Sequence, residues 1–170
     1  MTELVFAGRR LLARASQSRK QKGVFEGYAS VFGAIDASGD QVLPGAFSAS
    51  LARRGVANIR MLFQHDPAQP IGTWLNIRQD KKGLYVRGRL SMAVQRSIEL
   101  ESLLREGAID GLSIGFKTIR ARRDAKTGIR QLVTVDLWEI SLVTFPMLTS
   151  ARVATLKTQN ALVSQTPATL

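Results

Sequence analysis

Between Val24 and about Val153, apolar residues recur mostly at every second position, the period of a strand with one buried face. The pattern predicts a strand over residues 24–32, then a turn at Asp36-Ala-Ser-Gly-Asp40, whose residue types suit tight backbone reversals. Residues 44–54 read as a short helix stopped by Gly55, and residues 59–64 as a strand running into His65, with Pro67 ending it. Residues 71–77 and 83–90 form an expected hairpin through residues 78–82. Val94, Ile98, Leu103 and Leu104 fall at helical spacing before Gly107, which predicts a helix over residues 94–106. Strands return over residues 109–118 and 129–145. Many short strands with one or two helices predict a mainly β chain of the α+β kind: a closed or nearly closed antiparallel β-barrel flanked by helices. A β-sandwich is the alternative.

The same pattern divides the chain into a basic lead segment at residues 1–23, a domain at residues 24–153, and a mobile polar tail at residues 154–170. No apolar run approaches the ~20 residues of a membrane span, and the charge near the N-terminus is misplaced for a secretory signal, so a reducing cytoplasmic setting without a membrane is expected. The formal net charge is +11. Its basic residues lie in scattered pairs such as Arg9-Arg10, Arg53-Arg54 and Lys81-Lys82, with no interleaved aromatic platform. The charge therefore reads as solvated surface that can attract acidic proteins, and not as a specific nucleic-acid interface.

Composition also narrows the chemistry. The 170 residues contain no cysteine and one histidine, His65. Thiol catalysis is excluded, and so is a structural zinc site, which needs about four nitrogen or sulfur ligands. No metal or cofactor is expected. Any imidazole base must be His65.

Two further segments stand beside it. In Asp110-Gly-Leu-Ser113-Ile-Gly-Phe116, strand parity places Ser113 on a face where both neighbours are glycines, which clears space at the hydroxyl. In residues 132–145, the odd-numbered face Val133, Val135, Leu137, Glu139, Ser141, Val143, Phe145 is mainly apolar and is interrupted by one carboxylate. Each feature has an ordinary explanation: a satisfied histidine, a tight barrel corner, a salt bridge to an arginine. Together they supply a hydroxyl nucleophile, an imidazole base and an acid to orient it. Gly111 to Gly115 also matches the Gly-x-Ser-x-Gly pattern, but that elbow requires a strand-to-helix turn and this segment continues as strand.

Several blocks share a resemblance: Gly27-Tyr-Ala-Ser-Val-Phe32, Gly39-Asp-Gln-Val-Leu-Pro-Gly-Ala-Phe47, Gln64-His-Asp66, Pro70-Ile-Gly72, Gly83-Leu-Tyr-Val-Arg-Gly88, residues 107–116, and Glu139-Ile-Ser-Leu-Val-Thr-Phe-Pro146. Over residues 24–153 the chain resembles the tailed-bacteriophage prohead proteases. The resemblance implies a serine endopeptidase with a herpesvirus-assemblin-like barrel. It implies action inside the assembling prohead, on the scaffolding region of the major capsid protein and on the protease itself. By position it places the base at His65 and the nucleophile at Ser113. Assemblins use a second histidine as third member, and this chain has none. Glu139 is the choice, with Asp66, Asp110 and Asp136 open beside it. Backbone amides around residues 148–152 are candidates for the oxyanion hole. The opposing reading is a non-enzymatic basic capsid-assembly or nucleic-acid-binding protein on the same barrel.

Overall fold

A computed structural model describes residues 22–157. In chain order the elements are β1 (Val24–Val31), β2 (Asp40–Val42), α1 (Ser48–Arg54), a 3-10 turn (Val56–Asn58), β3 (Arg60–Phe63), β4 (Asp66–Gln79), β5 (Gly83–Leu90), α2 (Gln95–Glu106), β6 (Gly111–Arg123), β7 (Arg130–Val143) and β8 (Val153–Lys157). The strands form one sheet in the order β6-β7-β3-β4-β5-β1-β8, with β2 beside the first residues of β7.

The expected mainly β architecture is present, but the closed antiparallel barrel is not. The sheet curls into an open half-barrel. It is mixed, because β2 and β3 both run parallel to β7. The edge strands β6 and β8 approach at one isolated bridge, from Gly111 to Arg152, the residue before β8. β8 has five residues and β6 thirteen, and the second half of β6 is exposed and paired with β7 alone, so no continuous ladder can join the edges.

Phe25, Ile71, Leu84, Val86 and Leu90 fill the concave side from β1, β4 and β5, and Leu112, Leu132, Leu137, Ile140 and Leu142 meet them from β6 and β7. Both helices cover this core: α1 packs on β7, and α2 on β4 and β5. α2 ends at Gly107, whose left-handed φ of 72° closes the helix with bonds to the Leu103 and Leu104 carbonyls. Its buried Ser97 donates to the Ile71 carbonyl at 2.6 Å, so the hydroxyl is not left unpaired.

One irregularity governs the placement of β7 side chains. Gly115 pairs with Glu139, while the next residue, Phe116, pairs with Leu137. Trp138 is thus an extra residue on β7, a β-bulge. Before it, Val135 and Leu137 point into the core; after it, Ile140 and Leu142 do. The odd-numbered positions therefore do not share one face. Leu137 is core, whereas Glu139 and Ser141 lie on the opposite side. The bulge is buttressed by α1: the Leu137 amide donates to Ser50 Oγ at 2.8 Å.

The strand expected to stop at Pro67 is a hairpin instead. β3 ends at Phe63, which pairs with Asp66, and Pro67 is the second residue of β4. At the other end, β8 continues to Lys157, past the expected boundary at residue 153, and pairs with β1. Expectations for residues 1–21 and 158–170 fall outside the described residues. Among the described residues, no helix is long and apolar enough to cross a membrane.

Candidate active site

The β3–β4 hairpin carries His65 in a two-residue turn. Gln64 and His65 have φ of 54° and 60°, the left-handed backbone that a tight hairpin of this twist requires and that glycine or asparagine normally supplies. Here non-glycine residues hold it, tied down from β7. The Gln64 amide donates to the Leu142 carbonyl at 3.0 Å and its side-chain amide to Thr144 Oγ1 at 2.7 Å. The His65 amide donates to Ser141 Oγ at 3.1 Å. Strained backbone of this kind persists where its surroundings over-determine it, and it concentrates at functional sites.

The ring of His65 lies against β7. Nδ1 donates to Glu139 Oε1 at 2.6 Å. The other carboxylate oxygen accepts from Ser141 Oγ, also at 2.6 Å. An ionised carboxylate can only accept, so Nδ1 carries a proton, and in the neutral ring Nε2 keeps its lone pair. The His65 pKa is raised above its ordinary 6.5, first by this hydrogen bond and also by the carboxylate's charge, against partial burial that lowers it. The imidazole therefore holds its proton to higher pH than an unperturbed histidine would.

Ser113 stands on the neighbouring strand. It pairs with Ser141, and Gly115 pairs with Glu139, so Ser113, Gly115, Glu139 and Ser141 share one face of β6 and β7. Ser113 is 5% exposed and makes no side-chain hydrogen bond among the described residues. It borders a cleft of about 120 Å³ whose lining includes Ala29, Ser30, Asp36, Ile114, Met147 and Leu148. The flanking glycines have distinct functions. A Cβ at Gly115 would meet Glu139 Oε1, so that glycine makes room for the carboxylate. A Cβ at Gly111 would meet the Val143 carbonyl and Pro146.

The structure thus joins His65 to Glu139 and places Ser113 on the same face without a direct bond to the ring. The other acids are engaged elsewhere. Asp136 takes Arg53 at 2.5 Å, Arg54 at 2.8 Å and the Trp138 indole at 2.9 Å, and these, led by Arg54, hold its carboxyl far below the usual range. Asp110 pairs with Arg152. Asp66 accepts from the Ala68 amide and Gln69. The segment carrying the candidate oxyanion amides docks beside Ser113: the Leu112 amide donates to the Ala151 carbonyl at 2.9 Å and the Val153 amide to the Asp110 carbonyl at 2.8 Å. Ser141, which touches both His65 and Glu139, carried no separate signal in the sequence. A serine on a strand face becomes notable only when the hairpin that folds over it is known. Among the described residues, no three His, Cys, Asp or Glu side chains cluster to hold a metal.

Comparison with known proteins places this geometry in context. A profile of the caudovirus prohead serine proteases matches residues 10–166. The prohead protease of Enterobacteria phage HK97 is 37% identical over 139 residues, which cover 81% of this chain and 61% of that protein. The prohead protease of Escherichia phage T5 is 28% identical over 136 residues, covering 78% and 63%. The chain therefore spans about three fifths of the length of these relatives. Among solved structures, the bacteriophage T4 capsid assembly protease superposes with a TM-score of 0.58 at 14% identity, covering 71% of this chain and 80% of that one. A KSHV protease bound to a hexapeptide phosphonate inhibitor gives 0.53 at 15% identity, covering 76% and 63%. At these identities the structural likeness is one of fold.

Proposed function

The chain belongs to the caudovirus prohead serine protease family, and we propose that it is a serine endopeptidase using Ser113, His65 and Glu139. The observation that carries this reading is the 2.6 Å bond between His65 Nδ1 and Glu139. It fixes the tautomer with Nε2 unprotonated, which is the state a general base needs.

In this reading the peptide carbonyl enters beside Ser113. Nε2 of His65 takes the hydroxyl proton as Oγ attacks the carbonyl carbon, and Glu139 stabilises the imidazolium that results. The imidazolium then protonates the leaving amine, and the acyl-serine forms. Water, deprotonated by the same Nε2, releases the acid and restores the hydroxyl. The contact between Ser113 and Nε2 tightens when substrate displaces solvent from the cleft, as such bonds often do on substrate binding. Backbone amides in residues 148–152 are suited to the oxyanion, since this segment is bonded to β6 at Leu112, next to the nucleophile. The neighbouring cleft, lined by Ile114, Met147 and Leu148, accommodates a substrate side chain.

The relatives are prohead proteases and a capsid assembly protease by name, which supports a capsid protein as substrate. We assign the chain to capsid maturation inside the assembling prohead in the host cytoplasm, with the scaffolding region of the major capsid protein, and the protease itself, as substrates. The test uses full-length wild type and Ser113→Ala, each treated with a fluorophosphonate probe and co-expressed with the capsid protein of the same phage. Wild type should be labelled at Ser113 and should shorten the capsid protein; Ser113→Ala should do neither. Equal cleavage by both proteins would overturn the assignment.

A further inference from the structure

We propose that Ser141 is a positioning residue of this site: its hydroxyl ties the left-handed backbone of His65 to the carboxylate of Glu139 and so sets where the imidazole stands. The inference rests on the reading of His65 and Glu139 given above and adds a residue to it.

Ser141 is fully buried, and its proton and one of its lone pairs are both engaged in the site. A hydroxyl has one proton and two lone pairs. The proton goes to Glu139 Oε2 at 2.6 Å, and a lone pair receives the His65 amide at 3.1 Å. The remaining carboxylate oxygen returns to the same histidine through Nδ1 at 2.6 Å. The result is a closed ring of hydrogen bonds: His65 amide to Ser141, Ser141 to Glu139, His65 ring to Glu139. The His65 amide polarises the Ser141 hydroxyl toward Glu139, and the ring fixes both ends of the base, backbone and imidazole, against one side chain.

Other contacts hold the turn, but none does this. Leu142 and Thr144 hold Gln64 and leave the acid untouched. Ser141 alone, among the described residues, bonds to both His65 and Glu139. Its place in the register is equally specific, since it lies directly opposite Ser113 across the β6–β7 pair. Because its one proton is committed to Glu139, it offers Ser113 no donor, and the Ser113 hydroxyl is left for the base.

The structural alternative is that Ser141 merely satisfies a buried amide. The two roles separate in what the imidazole reports. The chain has one histidine, so the ring protons of His65 titrate as a single resolved set in an NMR pH series. Its electrostatic surroundings are simple. Arg60, opposite Glu139 on β3, reaches the Ala57 carbonyl, and Asp66 is bonded to Ala68 and Gln69. Glu139 is the ionisable group in contact with the ring.

The experiment compares the full chain carrying Ser141→Ala, Ser141→Cys and Ser141→Thr. NMR titrations are run in a Ser113→Ala background so that the chain stays intact, and turnover is read with Ser113 present. Ser141→Ala should lower the His65 midpoint and reduce kcat about tenfold to a hundredfold, the scale of a base displaced by about 1 Å, with KM little changed. Ser141→Cys keeps the volume but weakens the donor, and should move both readouts the same way. Ser141→Thr restores the hydroxyl and should recover both. A folded Ser141→Ala or Ser141→Cys with unchanged midpoint and kcat, even at a lower Tm, would overturn the proposal. If Ser113→Ala instead keeps full activity, the serine-protease reading fails, and the NMR midpoint still decides whether Ser141 positions His65.

Discussion

A methyl group at Gly115 would stand 1.9 Å from Oε1 of Glu139, the oxygen that holds the His65 ring. The obstructing atom is the end of a flexible side chain, so Gly115→Ala can be accommodated by moving the carboxylate. The fold then survives and the site does not. We expect Gly115→Ala to keep a Tm close to wild type and lose kcat by about a hundredfold, the effect of misplacing a catalytic group by about 1 Å. Gly111→Ala meets a backbone carbonyl, that of Val143, at 2.5 Å, and should lower Tm as well. Thermal melts alongside kcat separate the two. Wild-type turnover in Gly115→Ala would show that the Glu139 position is not critical.

The period of two made the long strands legible, and Gly55 and Gly107 marked both helix ends where the structure has them. Four features escaped. β2 has only three residues, too few for a period to register. The parallel pairing of β3 with β7 depends on which strands meet in space, which alternation does not encode. The bulge at Trp138 is invisible because alternation reads straight across an inserted residue. Its consequence reaches the site. Glu139 stood out as a carboxylate on an apolar face with Leu137, yet the two lie on opposite faces, and what distinguishes Glu139 is its contact with His65. The left-handed turn at Gln64 and His65 also escaped, since neither residue type announces positive φ.

The two acids on β7 should behave oppositely. Glu139→Gln places an amide against Nδ1. The ring is then no longer held with Nε2 unprotonated and its imidazolium loses a counter-charge, so kcat should fall by orders of magnitude with the fold intact. Asp136→Asn removes the anion shared by Arg53, Arg54 and the Trp138 indole, on the far side of the bulge from His65. It should lower Tm and leave kcat per folded molecule nearly unchanged. Parallel melts and turnover numbers check the pair; an inactive, stable Asp136→Asn beside an active Glu139→Gln would transfer the acid role.

Activity and local stability should respond to pH in opposite directions. The His65 pKa is raised above 6.5 by Glu139. With His65 as the proposed general base, turnover requires an unprotonated Nε2, so kcat/KM should rise with pH through a midpoint above 6.5. The His65–Glu139 pair stabilises the fold fully below the unfolded value of 6.5, and that contribution is lost as pH rises through the folded value. The Tm gap between wild type and Glu139→Gln should therefore be widest in mild acid and shrink as activity appears. The ring is partly exposed, so solvent keeps the gap modest. A kcat/KM midpoint at or below 6.5 would contradict the coupling of ring and carboxylate.

Self-cleavage, if Ser113 is a nucleophile that meets other copies of the chain in a confined shell, has a structural limit. A protease site takes its substrate as an extended, unpaired strand. Residues 151–157 are already paired: Ala151 and Val153 with β6, and β8 with β1. Cutting there would first require stripping the edge strand from the sheet. The N-terminal limit is set the same way, since Val24 pairs with both Arg89 and Lys157. We therefore expect wild type, aged at high concentration, to show no cut within the paired segments 24–31 and 151–157, and Ser113→Ala to keep its full mass. Intact-mass spectrometry of both proteins reads this directly. A cut within residues 24–31 or 151–157 in otherwise folded protein would mean that the sheet edge opens far more readily than its pairing indicates. Identical full masses for both proteins would remove self-processing.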